Sequence, residues 1–208
     1  MRIVVLGPPG AGKGTQAEML ERELGLKHLS TGDILREEVR KGTELGKRAE
    51  KYMKSGELVP DDLIVEMMEK EISKYDNFVL DGFPRNLKQA EALDKMCRID
   101  KVILLEVPDE VILERLSLRR SCPKCNRVYH LKYNPPKENE ICDYCGAKLY
   151  QRDDDKEEVI KKRLEVYRKE TEPIAKFYRE KGILVKVNGS KSIEEIFSDI
   201  KGVLGNGD

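Results

Sequence analysis

Tryptophan is absent from the 208-residue chain, Phe and Tyr together make up only 6% of it, and 39 Lys and Arg are cancelled by 39 Asp and Glu. The missing net charge argues against disorder, which favours unbalanced charge; 38% charged and 39% hydrophobic residues describe instead a salted surface over a core. Long apolar runs are missing too. The longest, such as Ile3 to Leu6 and Val102 to Leu105, fall far short of the roughly 20 residues that cross a bilayer, so no transmembrane helix is expected. Met1 and Arg2 lead directly into a strand-like run and then Gly7-Pro8-Pro9-Gly10, without the basic and apolar regions of a secretory signal. A cytosolic protein is therefore expected. Neither a repeat nor a low-complexity tract is visible, which excludes collagen-like, mucin-like and acidic-tail classes. The length suits one globular domain with a small insert, and Lys and Glu enrichment points towards heat stability.

Cysteine is scarce and odd in number. Of five, four form two CxxC pairs, Cys122 with Cys125 and Cys142 with Cys145, and Cys97 stands alone. In a reducing compartment that spacing reads as metal ligation before disulfides. Four thiolates at about 2.3 Å around Zn2+ close a tetrahedron with no position left for substrate. The metal is thus expected to be structural, stapling a segment too small to bury enough apolar surface alone; an iron centre or metal-free thiols are the alternatives. Cys97 reads as a small buried apolar residue.

Runs rich in Val, Ile and Leu at Arg2 to Leu6, Phe78 to Leu80, Lys101 to Val107 and Ile183 to Val187 read as strands covered on both faces, with a short fifth strand at Lys27 to Leu29. Helical patterns lie between them: Gly14 to Leu24, Asp33 to Arg40, Leu45 to Lys54, Asp61 to Lys74, Leu87 to Cys97, Asp109 to Arg119 and Lys156 to Lys181. A last helix, Ser192 to Leu204, opens with the capping box Ser192 and Glu195. Pro173 should break the long pattern near Thr171. Alternation of strand and helix predicts an α/β fold, a parallel sheet with helices on both faces. Residues 30–59 and 120–151 interrupt it and read as inserts on the sheet's carboxyl edge.

After the first strand, Gly7-Pro8-Pro9-Gly10-Ala11-Gly12-Lys13-Gly14-Thr15 follows the Walker A pattern except that Gly14 stands where Ser or Thr is usual. Glycines let the amides of residues 10 to 15 face inward, the next helix adds its positive end, and Lys13 reaches outer phosphates. The bland alternative is a glycine-rich turn with a chance lysine. Gly14 supplies no hydroxyl for magnesium, which leaves Thr15 to act through phosphate or water. Asp81, ending an apolar strand, points a carboxylate into the crevice where such sheets bind ligands.

The loop GPPGAGKGT, Ser30-Thr31-Gly32-Asp33 with Arg36, Leu80-Asp81-Gly82-Phe83-Pro84-Arg85 with Gln89, Arg119-Arg120, Arg127-Val128-Tyr129-His130 with Asn134-Pro135-Pro136, Arg152 with Asp154-Asp155, and Arg163 together resemble adenylate kinases. The resemblance runs from residue 1 to the final helix. It implies a P-loop nucleoside monophosphate kinase fold with a five-stranded parallel sheet, comprising a core (1–29, 60–119 and 152–208), an AMP-binding insert (30–59) and a zinc-stapled lid (120–151). It implies reversible transfer from MgATP to AMP giving two ADP, by a monomer that binds neither nucleic acid nor membrane. ATP would meet Gly10, Ala11, Gly12, Lys13, Gly14, Thr15, Arg119, Val128, Tyr129 and the backbone near Lys191. AMP would meet Thr31, Arg36, the backbone of Glu57, Leu58 and Val59, then Gly82, Phe83, Arg85 and Gln89. Lys13, Arg85, Arg119, Arg152 and Arg163 would surround the transferred phosphoryl group, whose chemistry needs positioning and charge neutralisation above all. Asp81 would hold magnesium through water; Asp33 either joins it or serves as a charge at a helix N-terminus.

Two rivals remain open. A UMP/CMP kinase keeps the chemistry and changes the base, although its relatives have a shorter lid. Alternatively, seven Lys or Arg against three acids across residues 119–150 suit a zinc-bearing RNA-binding or nucleotide-sensing protein. The neutral whole favours a lid closing over ATP, and no Asn-Lys-x-Asp guanine motif is present. His28 and His130 receive no catalytic role.

Overall fold

A computed structural model describes residues 1–205; the last three residues of the expected core, 206–208, lie outside it. Five parallel strands, β1 (Arg2–Leu6), β2 (Lys27–Ser30), β3 (Phe78–Asp81), β4 (Lys101–Glu106) and β7 (Leu184–Asn188), form one sheet in the order β2-β3-β1-β4-β7. A separate antiparallel ribbon joins β5 (Arg119–Ser121) to β6 (Val128–His130). Along β1, Val4 and Leu6 enter one apolar cluster while Ile3 and Val5 enter the other, which explains its unbroken apolar run.

Nine α-helices are described: α1 (Lys13–Leu24), α2 (Thr31–Lys41), α3 (Glu44–Ser55), α4 (Asp61–Ile72), α5 (Leu87–Met96), α6 (Asp109–Ser117), α7 (Glu157–Val166), α8 (Ile174–Glu180) and α9 (Ile193–Gly205). Side chains set several starts. Ser30, Thr43 and Asn86 accept from the amides of Asp33, Gly46 and Gln89. The expected capping box is present, with Ser192 Oγ accepting from Glu195 N and Glu195 Oε2 from Ser192 N.

The long helical pattern is divided as Pro173 requires: α7 gives way to a π-helical turn, Tyr167–Thr171, before α8. Arg119 was expected to end a helix, but α6 stops at Ser117 and Arg119 opens β5 opposite His130. The carboxyl ends of β1, β2 and β3 place the glycine loop, Ser30 and Asp81 along one edge of the sheet, where open α/β sheets hold ligands.

Helices α2 and α3 make up most of residues 30–59 and contribute Leu35 and Ala49 to the larger apolar cluster, which Val59 joins from the turn after α3. They cross tightly at Gly46, where an added Cβ would fall inside the Glu38 carbonyl and 2.6 Å from Val39 N. Gly46→Ala is therefore expected to destabilise the protein by about 1–3 kcal/mol through overpacking. Hydrogen exchange should speed mainly in α2 and α3; unchanged exchange and melting would show that the crossing yields at no cost.

Candidate active site

The loop after β1 turns on glycines that no other residue replaces easily. Gly7 has φ +146 and Gly10 φ +79, and a Cβ on either would come to 2.8 Å from Leu105 O or Leu116 Cγ. Within this curl Lys13 Nζ donates to the carbonyls of Gly7 at 3.0 Å and Pro8 at 2.8 Å. Burial lowers the Lys13 pKa to about 8; Asp81 opposes the shift, and Arg85, Arg163 and Arg119 add to it. A Cβ at Gly14 would lie 3.3 Å from Asp81 Oδ2, so the departure from the Walker pattern leaves room for that carboxylate.

Asp81 is buried, which would favour its protonated form, yet His28 and Lys13 outweigh burial and hold it below the usual carboxylate range. The His28 ring lies with Nε2 3.8 Å from Asp81 Oδ2. Its own pKa is raised because Asp81, Asp33 and Glu18 overcome its desolvation. Asp33 stands in the first turn of α2 and pairs with Arg36. An ionised carboxylate facing a residue without a side chain fits a hydrated magnesium ion at Asp81.

Beside Lys13 opens a cavity between the core and α2–α3. Thr31, Gly32 and Arg36 line it from α2, Glu57, Leu58 and Val59 from the turn after α3, and Gly82, Arg85 and Gln89 from the segment after β3. Gln89 is held at both ends of its amide: Oε1 accepts from Arg85 N and Nε2 donates to Asp61 Oδ1, each at 2.8 Å. Thr171, in the π-helical turn, donates to Arg85 O at 2.7 Å, so the Arg85 backbone is pinned from two sides.

Three further guanidinium groups stand close by: Arg163 lines the same cavity, Arg152 lines an adjoining one together with Arg36, and Arg119 is near enough to depress the Lys13 pKa. Arg119 makes a two-pronged contact with Asp155, Nε to Oδ2 at 2.8 Å and Nη2 to Oδ1 at 2.5 Å. Arg163 reaches Asp154 at 2.9 Å and Asp155 at 3.5 Å. Arg152 donates to Ser121 Oγ at 2.7 Å and, among the described residues, has no carboxylate within ion-pair distance. Burial, then Arg119 and Arg36, draws Arg152 down to about 9, and Arg163 falls to about 10 chiefly through burial. Arg119 moves up instead, because Asp155 outweighs its desolvation.

Not every expected residue has its side chain in this cleft. The Phe83 ring is buried in the core cluster. Tyr129 turns its ring into the cysteine segment, where its hydroxyl accepts from Asp143 N at 3.0 Å and lies 3.4 Å from Cys142 Sγ. Its neighbour Val128 pairs with Ser121 in the ribbon. Lys191 pairs with Asp199 at 2.6 Å on the surface. Conversely, His28, Asp61, Asp155 and Thr171 position cleft residues without having drawn a role from the sequence. Asp155 stands in a run of three acids, a pattern that usually means a solvated face; only the fold shows it buried.

The four remaining cysteines meet within one small cluster. Cys122 and Cys145 Sγ are 3.3 Å apart, Cys125 and Cys142 3.6 Å, and Cys125 and Cys145 3.7 Å. A tetrahedron with metal–sulfur bonds of about 2.3 Å has sulfurs separated by about 3.8 Å, so the set fits a zinc ion. Asn126 and Gly146, at φ 59 and 70, close matching turns that return each segment to its first cysteine. One zinc per chain is expected by elemental analysis. Stripping it with a chelator should lower the melting temperature by about 5 °C or more; unchanged melting would contradict the staple.

Comparison with known proteins agrees with this geometry. The sequence model of a family described as "Adenylate kinase" matches residues 5–183. An adenylate kinase of Archaeoglobus fulgidus is 51% identical over 98% of both chains, and one of Caldicellulosiruptor saccharolyticus is 51% identical over 99% of both. One of Methanothrix thermoacetophila is also 51% identical, over 98% of both chains. A phosphate loop, an arginine-lined cleft and half-identical relatives along nearly the whole length lead to one conclusion: the chain belongs to the adenylate kinase family.

Proposed function

We propose that the protein transfers a phosphoryl group reversibly from MgATP to AMP, giving two ADP, with the two nucleotides meeting end to end in the arginine cleft. The observation that carries this reading is one cavity that Lys13, Arg36, Arg85 and Arg163 line together with Thr31 and Gln89, with Arg119 and Arg152 close enough to act on these cations. One phosphate chain needs the loop and Lys13; a second phosphate explains why arginines gather on the far side.

In this reading the amides of residues 10 to 15 cradle the donor phosphates, and Lys13 leaves the Gly7 and Pro8 carbonyls for the outer ones. Val128, the backbone of Tyr129 and the loop near Lys191 border the donor base. Arg36 and Arg85 hold the acceptor phosphate, while Arg119, Arg152 and Arg163 brace the group in transit. Magnesium, held through water at Asp81, supplies charge neutralisation across the donor phosphates. The acceptor oxygen is already ionised, so no general base is assigned.

Gln89 supports AMP as the acceptor. Asp61 and Arg85 fix its amide orientation, leaving one N–H and one lone pair for a base edge, which adenine meets with N1 and its 6-amino group; the half-identical adenylate kinases support adenine as that base. Thr31 and the backbone of residues 57–59 complete the pocket. Residues 30–59 then act as the acceptor insert, 120–151 as the lid and the remainder as the core. Paired CxxC cysteines used as metal ligands suit a reducing cytoplasm. Pairing of Arg119, Lys132 and Lys148 with acids weakens the RNA-binding alternative. The protein reads as a monomer acting on small molecules.

Incubation with MgATP and, separately, AMP, CMP, UMP and GMP should yield a diphosphate rapidly with AMP alone. Comparable turnover of CMP or UMP would favour the pyrimidine alternative. Lys13→Met should lower kcat by about 100-fold or more while the protein stays folded; near-normal turnover would remove Lys13 from the site.

The lowered Lys13 pKa gives a second prediction. Near pH 8 the free protein carries a partly deprotonated Lys13, and triphosphate raises the pKa again, so binding takes up a proton. Calorimetry at pH 8 in buffers of different ionisation enthalpy should show roughly half a proton taken up per ATP bound, and Lys13→Met should abolish it. No uptake in the unmodified protein would contradict the placement of Lys13 against phosphate.

A further inference from the structure

Residues 30–59 and the cysteine segment are distant in sequence and meet through one side chain. Arg40, in the last turn of α2, donates through Nη1 to the carbonyl of Pro123 and, at 3.2 Å, to that of Lys124. Among the described residues these are the only hydrogen bonds between 30–59 and 120–151. Both carbonyls belong to the first CxxC turn. The amides of the same two peptide units, Lys124 N and Cys125 N, each point to Cys122 Sγ at 3.4 Å.

A trans peptide holds its N–H and C=O on opposite sides. Turning two amides towards a metal-binding sulfur therefore turns two carbonyls outward, and Arg40 takes both. A thiolate accepting those amides polarises the peptides and strengthens their carbonyls as acceptors. Behind the contact lies a cavity bordered by Val39, Glu50 and Lys54 on one side and Pro123 and Asn126 on the other, with Arg36 and Arg152 also in its wall. The two segments are thus tethered by Arg40 across a gap, with little packing there for the contact to disturb when it forms or breaks.

We infer that Arg40 is a positioning residue that latches the acceptor insert to the metal-held turn, so that filling the acceptor pocket and closing the lid over the donor nucleotide favour one another. This rests on the reading above, in which 30–59 carries AMP and 120–151 covers ATP. Arg40 borders the cavity that Arg36 and Arg152 also line, its hydrogen bonds go to Pro123 and Lys124 and its ion pair to Glu37, and its partly exposed position allows substitution without emptying the core.

The test is calorimetric binding of AMP, alone and with a saturating non-hydrolysable MgATP analogue, alongside zinc content and melting temperature. The unmodified protein should bind AMP more tightly when the analogue is present. Arg40→Ala should bind AMP alone as before, keep its zinc and its melting temperature, and lose about threefold to tenfold of the enhancement. Arg40→Lys, with a point charge in place of a fork, should fall between. Glu37→Gln, which removes the neighbouring partner of Arg40 and leaves the carbonyls untouched, should keep the full enhancement. Full enhancement in Arg40→Ala, or weaker binding of AMP by itself in that variant, would overturn the latch alone. No enhancement in the unmodified protein, with AMP still bound beside the analogue, would overturn the latch alone; failure of AMP to bind beside the analogue would overturn the two-site reading.

Discussion

Cations brought together in a dry cleft repel one another, and the whole arrangement depends on how that repulsion is contained. Asp155, with no exposed side-chain surface, takes the fork of Arg119 and a contact from Arg163. Asp154 takes Arg163, Asp33 takes Arg36, and Asp81 stands by Lys13. Arg152 has a hydroxyl in place of a carboxylate, and both it and Lys13 hold their protons less firmly than usual. Such a cleft is built for anions that arrive later. Because carboxylates already hold Arg36, Arg119 and Arg163, little reorganisation of those three remains for the reaction itself.

The cysteine segment serves the same end. It begins just after Arg119 and ends just before Arg152, and the bridge between Ser121 and Tyr150 ties its two ends together. Arg152 then donates to Ser121 across that junction. Anything that holds the four sulfurs together therefore also limits how far apart these two arginines can drift. A metal described as structural can in this way bear on chemistry without touching a nucleotide. The Arg40 latch extends the same logic, since the turn around Cys122 faces sulfur on one side and the acceptor insert on the other.

Much of this was legible from residues alone. Apolar runs identified four of the five sheet strands, with the alternation of elements suggesting the fifth, Pro173 marked the helix break, and the CxxC spacing anticipated the sulfur cluster, because each depends on local sequence or on a fixed ligand geometry. Long-range pairing was harder to read. Arg119 looked like the end of a helix, yet the ribbon claims it, since its pairing with His130 and its fork to Asp155 are set by residues far along the chain. Tyr129 lies within a family motif, but strand alternation sends its ring to Cys142. His28 gave no signal, having neither a nearby nucleophile nor metal spacing; only the register of β2 against β3 brings it towards Asp81. Asp155 was quoted within a family motif, but its burial and its fork to Arg119 could not be read from a run of three acids.

The central claim is that geometry, beyond charge alone, makes this cleft work. Arg119→Lys tests it most directly, because the substitution keeps a positive charge and removes the planar fork. Single-turnover transfer from MgATP to AMP should slow by about tenfold or more in that variant, with nucleotide affinities changed much less. A transfer rate equal to that of the unmodified protein would mean that an unspecific positive charge suffices there, and would contradict the account.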